Sequence, residues 1–438
     1  MRTDLVQGNA VIGQSGGPTA VINQSLVGVL EGLRSGLQAS GVVKRVLGMQ
    51  HGVRGLTKGA GEFYDLTSTH QDVLDRLAGT PSAALGSTRD KPDSAYCERI
   101  LDACRKHNAR YFFYIGGNDS CDTCRIVNEM AERTGYDMRC FHVPKTIDND
   151  LVENDHCPGY PSAARFVAMA CMADFLDNIS LPGIKINVIM GRHAGFLTAA
   201  SALARRHDRD LQPRCAVGGG GTPGECESTD GPQLIYCPEV PFDIDRFVGD
   251  VEAIYSSKGR CHIAVSEGIQ DAQGVAIGSK LIKGGQVDAH GNVQLSGSGA
   301  LGDQLGDLLK EKLTPRGGKP PRVRADTFGY IQRCWPDASV IDQTEARRSG
   351  RFAAQMAMAG ERSGSVTIAR TGSGSRAWLG LDSGEDYSSG FRLVPLAQVA
   401  GHTRHMPKEW LEGHNNVSRA FIEYCLPLVG DLPGFERL

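Results

Sequence analysis

The sequence lacks a hydrophobic run long enough to cross a membrane, since no segment approaches the ~20 consecutive apolar residues of a spanning helix. The first residues, MRTDLVQGNAVIG, also lack the apolar core of a secretion signal. The formal net charge of −3 leaves no excess of positive charge of the kind that binds nucleic acid. These absences predict a cytoplasmic protein whose partners are neither membranes nor nucleic acids.

Cysteines in a zinc-binding arrangement are missing as well. The chain has 13 cysteines, and Cys121 and Cys124 form a CxxC pair, but no second pair follows at zinc-finger spacing. Without a secretion signal, an odd number of scattered cysteines indicates reduced thiols. We therefore expect Cys121 and Cys124 to be neighbours on one face of a helix.

Glycine, by contrast, is abundant, with 55 residues, and many glycines stand where a strand pattern ends and a helical pattern begins. Strand-like and helical runs alternate along the first half of the chain, and the alternation restarts near Tyr160. Such alternation is typical of parallel sheets with helices on both faces. It predicts an α/β fold of two Rossmann-like three-layer domains, whose mostly parallel sheets face each other across a cleft.

The segment FHVPKTIDNDL carries a strong chemical signal. Pro144 argues against a helix, and alternate side chains of an extended segment point to the same side. Thr146, Asp148 and Asp150 would then share one face, next to Lys145. Such a set can manage a proton and a metal-bound phosphate, although a polar turn with local hydrogen bonds would use the same residue types.

Two further loops follow strand patterns and combine glycines with polar residues. GQSGGPT, residues 13–19, precedes a helical pattern whose free N–H groups suit a phosphate, but it lacks the Gly-Lys-Ser/Thr ending of a P-loop. IGGNDS, residues 115–120, places Asn118 and Asp119 where they can help to hold a metal or shape a phosphate pocket. A tight turn without a ligand explains the first loop equally well, and helix capping explains the second.

Arginines mark two strand patterns in the second half of the chain. IMGRHAG places Arg192 at a strand end, where a guanidinium can bind sugar hydroxyls or phosphate oxygens. RVRADTFGYIQR, which is expected to be a strand, carries Arg324, Tyr330 and Arg333, a set that suits a phosphate monoester. Each arginine taken alone is also compatible with an exposed turn.

Taken in order, these segments resemble those of the phosphofructokinase family. The matching segments lie between about Ala10 and Leu428 and are SGGPTAVIN, GSTR, IGGNDS, PKTIDND, MGRHAGFLTAASALA, SEGI and RADTFGYIQR. Members of this family transfer a phosphoryl group to the 1-hydroxyl of fructose 6-phosphate. The resemblance therefore implies a transferase of glycolysis and gluconeogenesis that uses Mg²⁺ as its cofactor.

A division of the chain into two binding domains accompanies the resemblance. Residues 1–158 and about 334–395 would bind the phosphoryl donor, and residues 159–333 and about 396–438 would bind the sugar phosphate. Residues 207–232 are rich in glycine and aperiodic, and we expect them to form a flexible insertion.

The resemblance also implies roles for individual residues. Asp148 would be the general base that takes the proton from the 1-hydroxyl, and Lys145 would neutralise the leaving group. The other matches are Gly16 and Arg89 for the donor; Thr146 and Asp150 for the sugar and the metal-bound phosphate; Met190, Gly191, Arg192 and Glu267 for the sugar; and Arg324, Tyr330 and Arg333 for the 6-phosphate.

Three positions depart from the family pattern or concern the assembly. Asn118 stands at a magnesium-linked position, but its neutral amide is a weak ligand for a hard cation, which leaves direct metal contact open. In many members the counterpart of Arg324 reaches in from a neighbouring subunit, so we expect a homodimer or homotetramer. A second arginine that some members donate across subunits has no match, and Lys185 is the nearest cation.

Asp119 and Lys145 distinguish between two phosphoryl donors. Members that use ATP have glycines at both positions, whereas members that use pyrophosphate resemble this sequence. A carboxylate at Asp119 would repel the α-phosphate of ATP by up to about 4 kcal/mol at an effective dielectric constant near 20. We therefore predict reversible transfer from pyrophosphate to fructose 6-phosphate, giving fructose 1,6-bisphosphate and phosphate. The alternatives are an ATP-dependent 6-phosphofructokinase and a non-catalytic regulatory subunit that binds sugar phosphates.

Overall fold

The computed structural model describes residues 5–34, 36–37, 41–205, 230–281, 300–372 and 387–435. The chain divides into two compact units. The first unit comprises Met1–Ala163, Arg333–Gly372 and Tyr387–Arg404, and the second comprises Ala164–Gln332, Ser373–Asp386 and His405–Leu438. Of the insertion predicted at 207–232, only residues 230–232 lie within the described residues.

Strands and helices alternate along most of the described chain. The strands are β1 Gly8–Gln14, β2 Val43–Met49, β3 Phe63–Asp65, β4 Ala109–Gly116, β5 Arg139–Pro144, β6 Ile184–Ile189, β7 Leu234–Tyr236, β8 Cys261–Ser266, β9 Val323–Thr327, β10 Ser363–Arg370, β11 Ser389–Val394, β12 Leu411–Glu412 and β13 Asn416–Val417. The helices are α1 Ile22–Arg34, α2 Val53–Thr57, α3 Gln71–Ala78, α4 Ser94–Lys106, α5 Asn118–Arg133, α6 Tyr160–Ser180, α7 Phe196–Ala200, α8 Ile244–Lys258, α9 Ile277–Leu281, α10 Ala300–Leu313, α11 Val340–Ala359, α12 Leu396–Val399 and α13 Arg419–Val429.

The first unit is built on a seven-stranded sheet with the strand order β11-β10-β5-β4-β1-β2-β3. Only β3 and β11, at the two edges of this sheet, run antiparallel to their neighbours. The chain builds outward from β1 to β2 and β3 on one side, and from β4 to β5 on the other. Ligands of such sheets bind where the strand order reverses, outside the carboxyl ends of the strands. The loops after β1, β4 and β5 therefore meet at the carboxyl ends of the strands, where a site is expected.

Helices cover both faces of this sheet. In β4, Phe112 and Tyr114 pack into one apolar cluster with residues of α4 and α5, whereas Tyr111 and Phe113 pack into another with residues of α1 and α11. Successive side chains of a strand point to opposite faces, so a strand buried on both faces reads as a continuous apolar run. This explains the sequence RYFFYIG, in which all the residues after Arg110 are buried.

The second unit contains a parallel sheet with the strand order β7-β8-β6-β9. Its core joins β6 and β8 to α8 and α10 through side chains such as Ile186, Ile263, Phe247 and Leu305. The carboxyl ends of β6 and β8 carry the predicted sugar-binding residues, as the strand pattern requires. The α/β class with mostly parallel sheets is thus confirmed in both units.

Two elements of the structure end earlier than the sequence predicts. RVRADTFGYIQR is a strand only in β9 and continues as a 3₁₀ helix over Gly329–Arg333. Gly329 has a φ of +51°, in the left-handed region that glycine adopts without strain, and this conformation ends the extended backbone. The sequence AGFLTAASALARR, whose pattern predicts one helix, is α-helical only in α7 and then tightens to a 3₁₀ helix over Ser201–Ala204.

Two findings concern membranes and cysteines. Within the described ranges, no helix is long and apolar enough to cross a membrane. Cys121 and Cys124 are both buried on α5, one helical turn apart, as predicted. Burial raises the pKa of the Cys121 thiol to about 12 and that of Cys124 well above its usual value, so neither thiol ionises at neutral pH.

Candidate active site

The glycine loop after β1 is held by the segment GSTR. Gly16 has a φ of +79°, its N–H donates to the carbonyl of Thr88 (2.8 Å), and its carbonyl accepts from Ser87 Oγ (2.6 Å). A Cβ atom on Gly16 would lie 3.0 Å from Lys145 Nζ. Arg89 follows Thr88 directly and is exposed. The segment GSTR thus places Arg89 beside the glycine loop, whose backbone at Gly16 lies close to Lys145.

Lys145 links the ends of three neighbouring strands. The residue follows β5 and is only 3% exposed. Its Nζ donates to the carbonyl of Gly17 in the loop after β1 (2.8 Å), and its backbone N–H donates to the carbonyl of Gly116 at the end of β4 (2.9 Å). An ammonium group is therefore buried where the strand order of the first sheet reverses.

The pKa of Lys145 reports the charges around it. This pKa is lowered from 10.5 to about 8, first by burial and then by the positive charge of Arg333. Asp148 and Asp150 oppose the decrease with their negative charges, and Arg89 adds to it. The lysine still carries its charge at neutral pH, close to both carboxylates and both arginines.

The loop that follows Lys145 shows the alternation predicted from its sequence. Thr146, Asp148 and Asp150 are half-buried, whereas Ile147 and Asn149 between them are buried. Thr146 Oγ1 accepts from the Asp148 N–H (3.1 Å) and donates to Asp150 Oδ1 (3.2 Å). The backbone, however, is not extended throughout, because Asn149 adopts a φ of +60°.

Arg333 lies over the glycine loop. A Cβ atom on Gly17 would lie 3.0 Å from Arg333 Nε and 3.1 Å from its Cζ. Tyr330 and Arg324, which were predicted to share a 6-phosphate pocket with Arg333, belong to the second unit. The three residues predicted for the 6-phosphate are thus divided between the units, and Arg333 lies beside the loop predicted for the donor.

Asn118 begins α5 and ties this helix to the segment after α12. Its Oδ1 accepts from the Gly401 N–H (2.8 Å), and its Nδ2 donates to the carbonyl of His402. The oxygen atom that would bind a metal is therefore already a hydrogen-bond acceptor. Asp119, the next residue, is exposed and pairs with the exposed Lys91 at 3.2 Å. Lys91 was not among the residues predicted from the sequence.

In the second unit, the ends of β6 and β8 bring Arg192 and Glu267 together. Arg192 Nε lies 3.7 Å from Glu267 Oε1, and Glu267 is only 6% exposed whereas the arginine side chain is 56% exposed. Gly191 has a φ of +129°, and its carbonyl accepts from Ser266 Oγ (2.5 Å). Met190, just before it, is buried. A buried carboxylate thus orients an exposed guanidinium at the end of a strand.

Glu239 holds the same loop from its other end. Its Oε1 accepts from the Gly195 N–H (2.7 Å) and from the Met406 N–H (3.2 Å). Burial raises the pKa of this carboxyl above its usual value. Glu239 was not among the residues predicted from the sequence, although a carboxylate three residues after the apolar strand β7 was an available signal.

Arg324 lies in an ion-pair cluster with Lys185. Arg324 Nη1 lies 2.8 Å from Asp177 Oδ2, and Lys185 Nζ lies 3.0 Å from Asp326 Oδ2 and 3.1 Å from Asp174 Oδ1. Lys185 and Arg324 are register partners near the amino ends of β6 and β9. They therefore lie at the amino ends of the strands, opposite the loops that follow the carboxyl ends of β6 and β8.

Tyr330 lies beyond the other end of β9 from Arg324. It follows the carboxyl end of the strand within the 3₁₀ helix Gly329–Arg333 and is 51% exposed. Tyr330 thus follows the carboxyl end of a strand of this sheet, as Arg192 and Glu267 do.

Oxygen atoms suited to a hard cation occur on the loop after β5. Asp148, Asp150 and Thr146 are half-buried and offer two carboxylates and a hydroxyl. Among the residues that the structure describes, no three His, Cys, Asp or Glu side chains form a metal-binding group. Mg²⁺ commonly binds one or two carboxylates and completes its shell with water and substrate phosphates. The donor set fits a cation of this kind, shared with a phosphate ligand.

Comparison with known proteins identifies the family. The phosphofructokinase family model matches residues 9–357. The chain belongs to the phosphofructokinase family. Over 99% of its length it is 49% identical to a pyrophosphate–fructose 6-phosphate 1-phosphotransferase of Rhodospirillum rubrum, of which it covers 97%. A relative of the same name from Xanthomonas campestris is 34% identical, with 98% of this chain and 93% of the relative covered.

The fold of this phosphofructokinase family member is also that of solved structures. The crystal structure of a pyrophosphate-dependent phosphofructokinase from Nitrosospira multiformis matches with a TM-score of 0.77 at 29% identity. The match covers 98% of this chain and 94% of that structure. Sequence motifs and fold therefore agree on the family over nearly the whole chain.

Proposed function

We propose that this chain catalyses reversible, Mg²⁺-dependent phosphoryl transfer from pyrophosphate to the 1-hydroxyl of fructose 6-phosphate. The observation that carries the proposal is the buried Lys145 ammonium, which contacts the glycine loop and lies near Asp148. A buried cation beside backbone groups suits a compact polyanion. The relatives named for pyrophosphate-dependent activity support the same donor.

The first unit would bind the donor and carry the base. The Gly16 loop and Arg89 would contact pyrophosphate, and Lys145 would neutralise the phosphate that leaves. Arg333, which was expected from the sequence to bind the 6-phosphate, lies beside this loop and would contact pyrophosphate instead. The oxygen of the 1-hydroxyl attacks one phosphorus atom, the bridging P–O bond breaks, and Asp148 takes the hydroxyl proton. Because there is little covalent chemistry for the protein to perform, positioning and charge supply most of the rate enhancement.

The second unit would bind the sugar phosphate. Arg192 lies at a strand end with its guanidinium exposed, and Glu267 orients it. Met190 and Gly191 would line the sugar, and Tyr330 would contact its 6-phosphate.

Asp150 would hold Mg²⁺ together with oxygen atoms of the donor, and Thr146 orients this carboxylate. The bound cation would neutralise negative charge on the transferred phosphoryl group. We do not assign Asn118 to the metal, because its amide already binds the Gly401 and His402 backbone.

Arg324 would serve a sugar phosphate only in another copy of the chain. It lies near the amino end of β9, whereas Arg192 and Glu267 follow the carboxyl ends of β6 and β8 in the same sheet. This placement supports at least a homodimer, in which Arg324 completes a neighbouring site. In the isolated chain its charge is balanced by Asp177.

Donor preference is the experiment that tests the proposal. We expect formation of fructose 1,6-bisphosphate with pyrophosphate, and a kcat/KM with ATP lower by at least about a hundredfold, which corresponds to roughly 3 kcal/mol. Initial rates with both donors, measured with fructose 6-phosphate and Mg²⁺, give the ratio. Turnover with ATP alone would overturn the donor assignment but not the family.

Variants at Asp119 separate charge from bulk as the cause of ATP exclusion. Asp119→Asn removes the charge and keeps the size, whereas Asp119→Gly removes both. If charge repulsion excludes ATP, both variants should gain ATP turnover. If only the glycine variant gains it, the side chain acts by its volume, in line with the partial neutralisation of Asp119 by Lys91.

Arg192→Met should weaken the sugar phosphate specifically. Loss of a charged hydrogen-bonding group costs about 1.5–3 kcal/mol, so the KM for fructose 6-phosphate should rise roughly 10- to 100-fold. The KM for pyrophosphate should stay near its wild-type value. Arg246→Met, at an exposed arginine of α8 in the same unit, is the control. A rise in the KM for pyrophosphate instead would contradict the assignment of Arg192.

A further inference from the structure

His156 lies at the centre of a buried charged cluster in the first unit that the proposed mechanism does not use. The residue is 0% exposed. Its Nδ1 lies 2.8 Å from Asp155 Oδ2, and its Nε2 is hydrogen-bonded to Glu345 Oε2. Ionised carboxylates only accept hydrogen bonds, so both ring nitrogens act as donors and the ring is a cation. Two carboxylates thus hold one imidazolium.

Further groups complete the hydrogen bonds and the charges of this cluster. Tyr387 Oη donates to Glu345 Oε1 (2.7 Å), and Arg370 Nε lies 3.2 Å from Asp155 Oδ2. Burial alone would lower the pKa of His156, but the charges of Glu345 and Asp155 raise it to about 9. The cluster is therefore charged and internally satisfied at neutral pH, as buried ionic groups must be.

The segment that follows His156 holds the loop that carries Asp148. The Cys157 N–H donates to Asn149 Oδ1 (2.9 Å), and the carbonyl of Pro158 accepts from the Thr146 N–H (3.1 Å). Asn149 is fully buried with a φ of +60°, a conformation that needs support from its surroundings. Residues 157–159 thus fix the backbone on both sides of Asp148.

Helix α11 holds the same segment at a second point. Asp342, which is 1% exposed, accepts from the Gly159 N–H (2.8 Å) and from the Ser162 N–H (3.1 Å). Glu345 lies three residues later on the same face of the helix and binds His156. One helix therefore anchors the segment directly at Gly159 and through the imidazolium at His156.

We propose that His156 is a positioning residue for phosphoryl transfer, because its two carboxylate contacts fix the segment that holds Asp148 in place. The inference rests on the proposed function, in which Asp148 is the base, and His156 itself touches no substrate. A merely structural cluster would contribute stability without changing the turnover of each folded molecule. The two roles differ in measurable ways.

The test compares His156→Gln with the double variant His156→Gln/Glu345→Gln. The double variant removes both charges, so it leaves no new unpaired carboxylate at Glu345 and is the safer of the two for folding. His414→Gln is the matched control, because His414 Nε2 binds the Asp250 carboxylate, which also accepts from Tyr236, in the second unit. Thermal unfolding gives the folded fraction, to which each kcat is referred.

Two readouts are expected to change. At equal folded fraction, kcat should fall roughly 10- to 100-fold in both His156 variants with little change in either KM, since small displacements of a reacting group are costly. Hydrogen exchange of the peptide amides over residues 145–158 should be about tenfold faster in the absence of substrates, because the contacts of Thr146 and Cys157 open more often. His414→Gln should change neither.

The hydrogen-exchange measurement needs no activity, so it separates this inference from the proposed function. A wild-type chain that uses neither donor would overturn the proposed function. Hydrogen exchange over residues 145–158 that is as slow in the His156 variants as in the wild type would overturn the positioning role. A kcat per folded molecule equal to that of the wild type would also overturn it. So would a rise in KM at constant kcat.

Discussion

Asp148→Asn is expected to lower kcat by about 10²- to 10⁴-fold, the usual contribution of a general base. The amide has nearly the same shape as the carboxylate but cannot take the proton of the sugar hydroxyl. The backbone N–H of Asp148, which donates to Thr146 Oγ1, is unchanged by the substitution. The KM for fructose 6-phosphate should therefore remain close to that of the wild type. Initial rates in both directions of the reaction measure the effect.

The control for this variant is an aspartate of the same unit without a proposed role. Asp102→Asn removes a carboxylate that pairs with Arg105 on the exposed face of α4, and it should leave kcat unchanged. A value of kcat for Asp148→Asn comparable to that of Asp102→Asn would exclude Asp148 as the base. Another group would then have to take the proton of the 1-hydroxyl.

Patterns of short range predicted much of the first unit. The sequence predicted one face for Thr146, Asp148 and Asp150 and another for Ile147 and Asn149, and the first three are half-buried whereas the other two are buried. The apolar run before Gly116 predicted a strand, and β4 is that strand. Local patterns succeed here because each depends on residues within a few positions of one another.

Contacts between distant parts of the chain could not be predicted from the sequence. Arg333 lies over Gly17, more than 300 positions away, so its motif gave no sign of this neighbour. His156 and Glu345 are separated by 189 positions, and neither stands in a pattern that points to the other.

Lys145 and Lys185 show how different two buried lysines can be. Both are less than a tenth exposed. Lys185 has three carboxylates within 4 Å, and although burial opposes its charge, Asp326 and Asp174 raise its pKa above the usual value. The pKa of Lys145 is lowered to about 8 because its surroundings compensate the buried charge less completely. The charge of Lys185 therefore favours folding, whereas that of Lys145 opposes it.

Lys145→Met should abolish pyrophosphate-dependent turnover and at the same time stabilise the fold. The wild-type kcat/KM for pyrophosphate should fall as pH rises through about 8, because the free enzyme then loses the ammonium charge. Below that pH the buried charge destabilises the wild type, so the variant should have a free energy of unfolding higher by about 1–3 kcal/mol. Rates from pH 6 to 10 and denaturant unfolding check both effects.

The sign of the pH dependence makes the stability effect specific to Lys145. Between its folded pKa of about 8 and its unfolded value of 10.5, the unfolded chain holds a proton that the folded chain has released. Wild-type stability should therefore rise relative to the variant across this interval, and the advantage of Lys145→Met should disappear near its upper end. Lys185→Met, which leaves carboxylates unpaired, should be destabilised at neutral pH. If both variants lose stability at neutral pH, the contacts of Lys145 compensate the burial of its charge. The ammonium would then stabilise the fold as well as bind the donor.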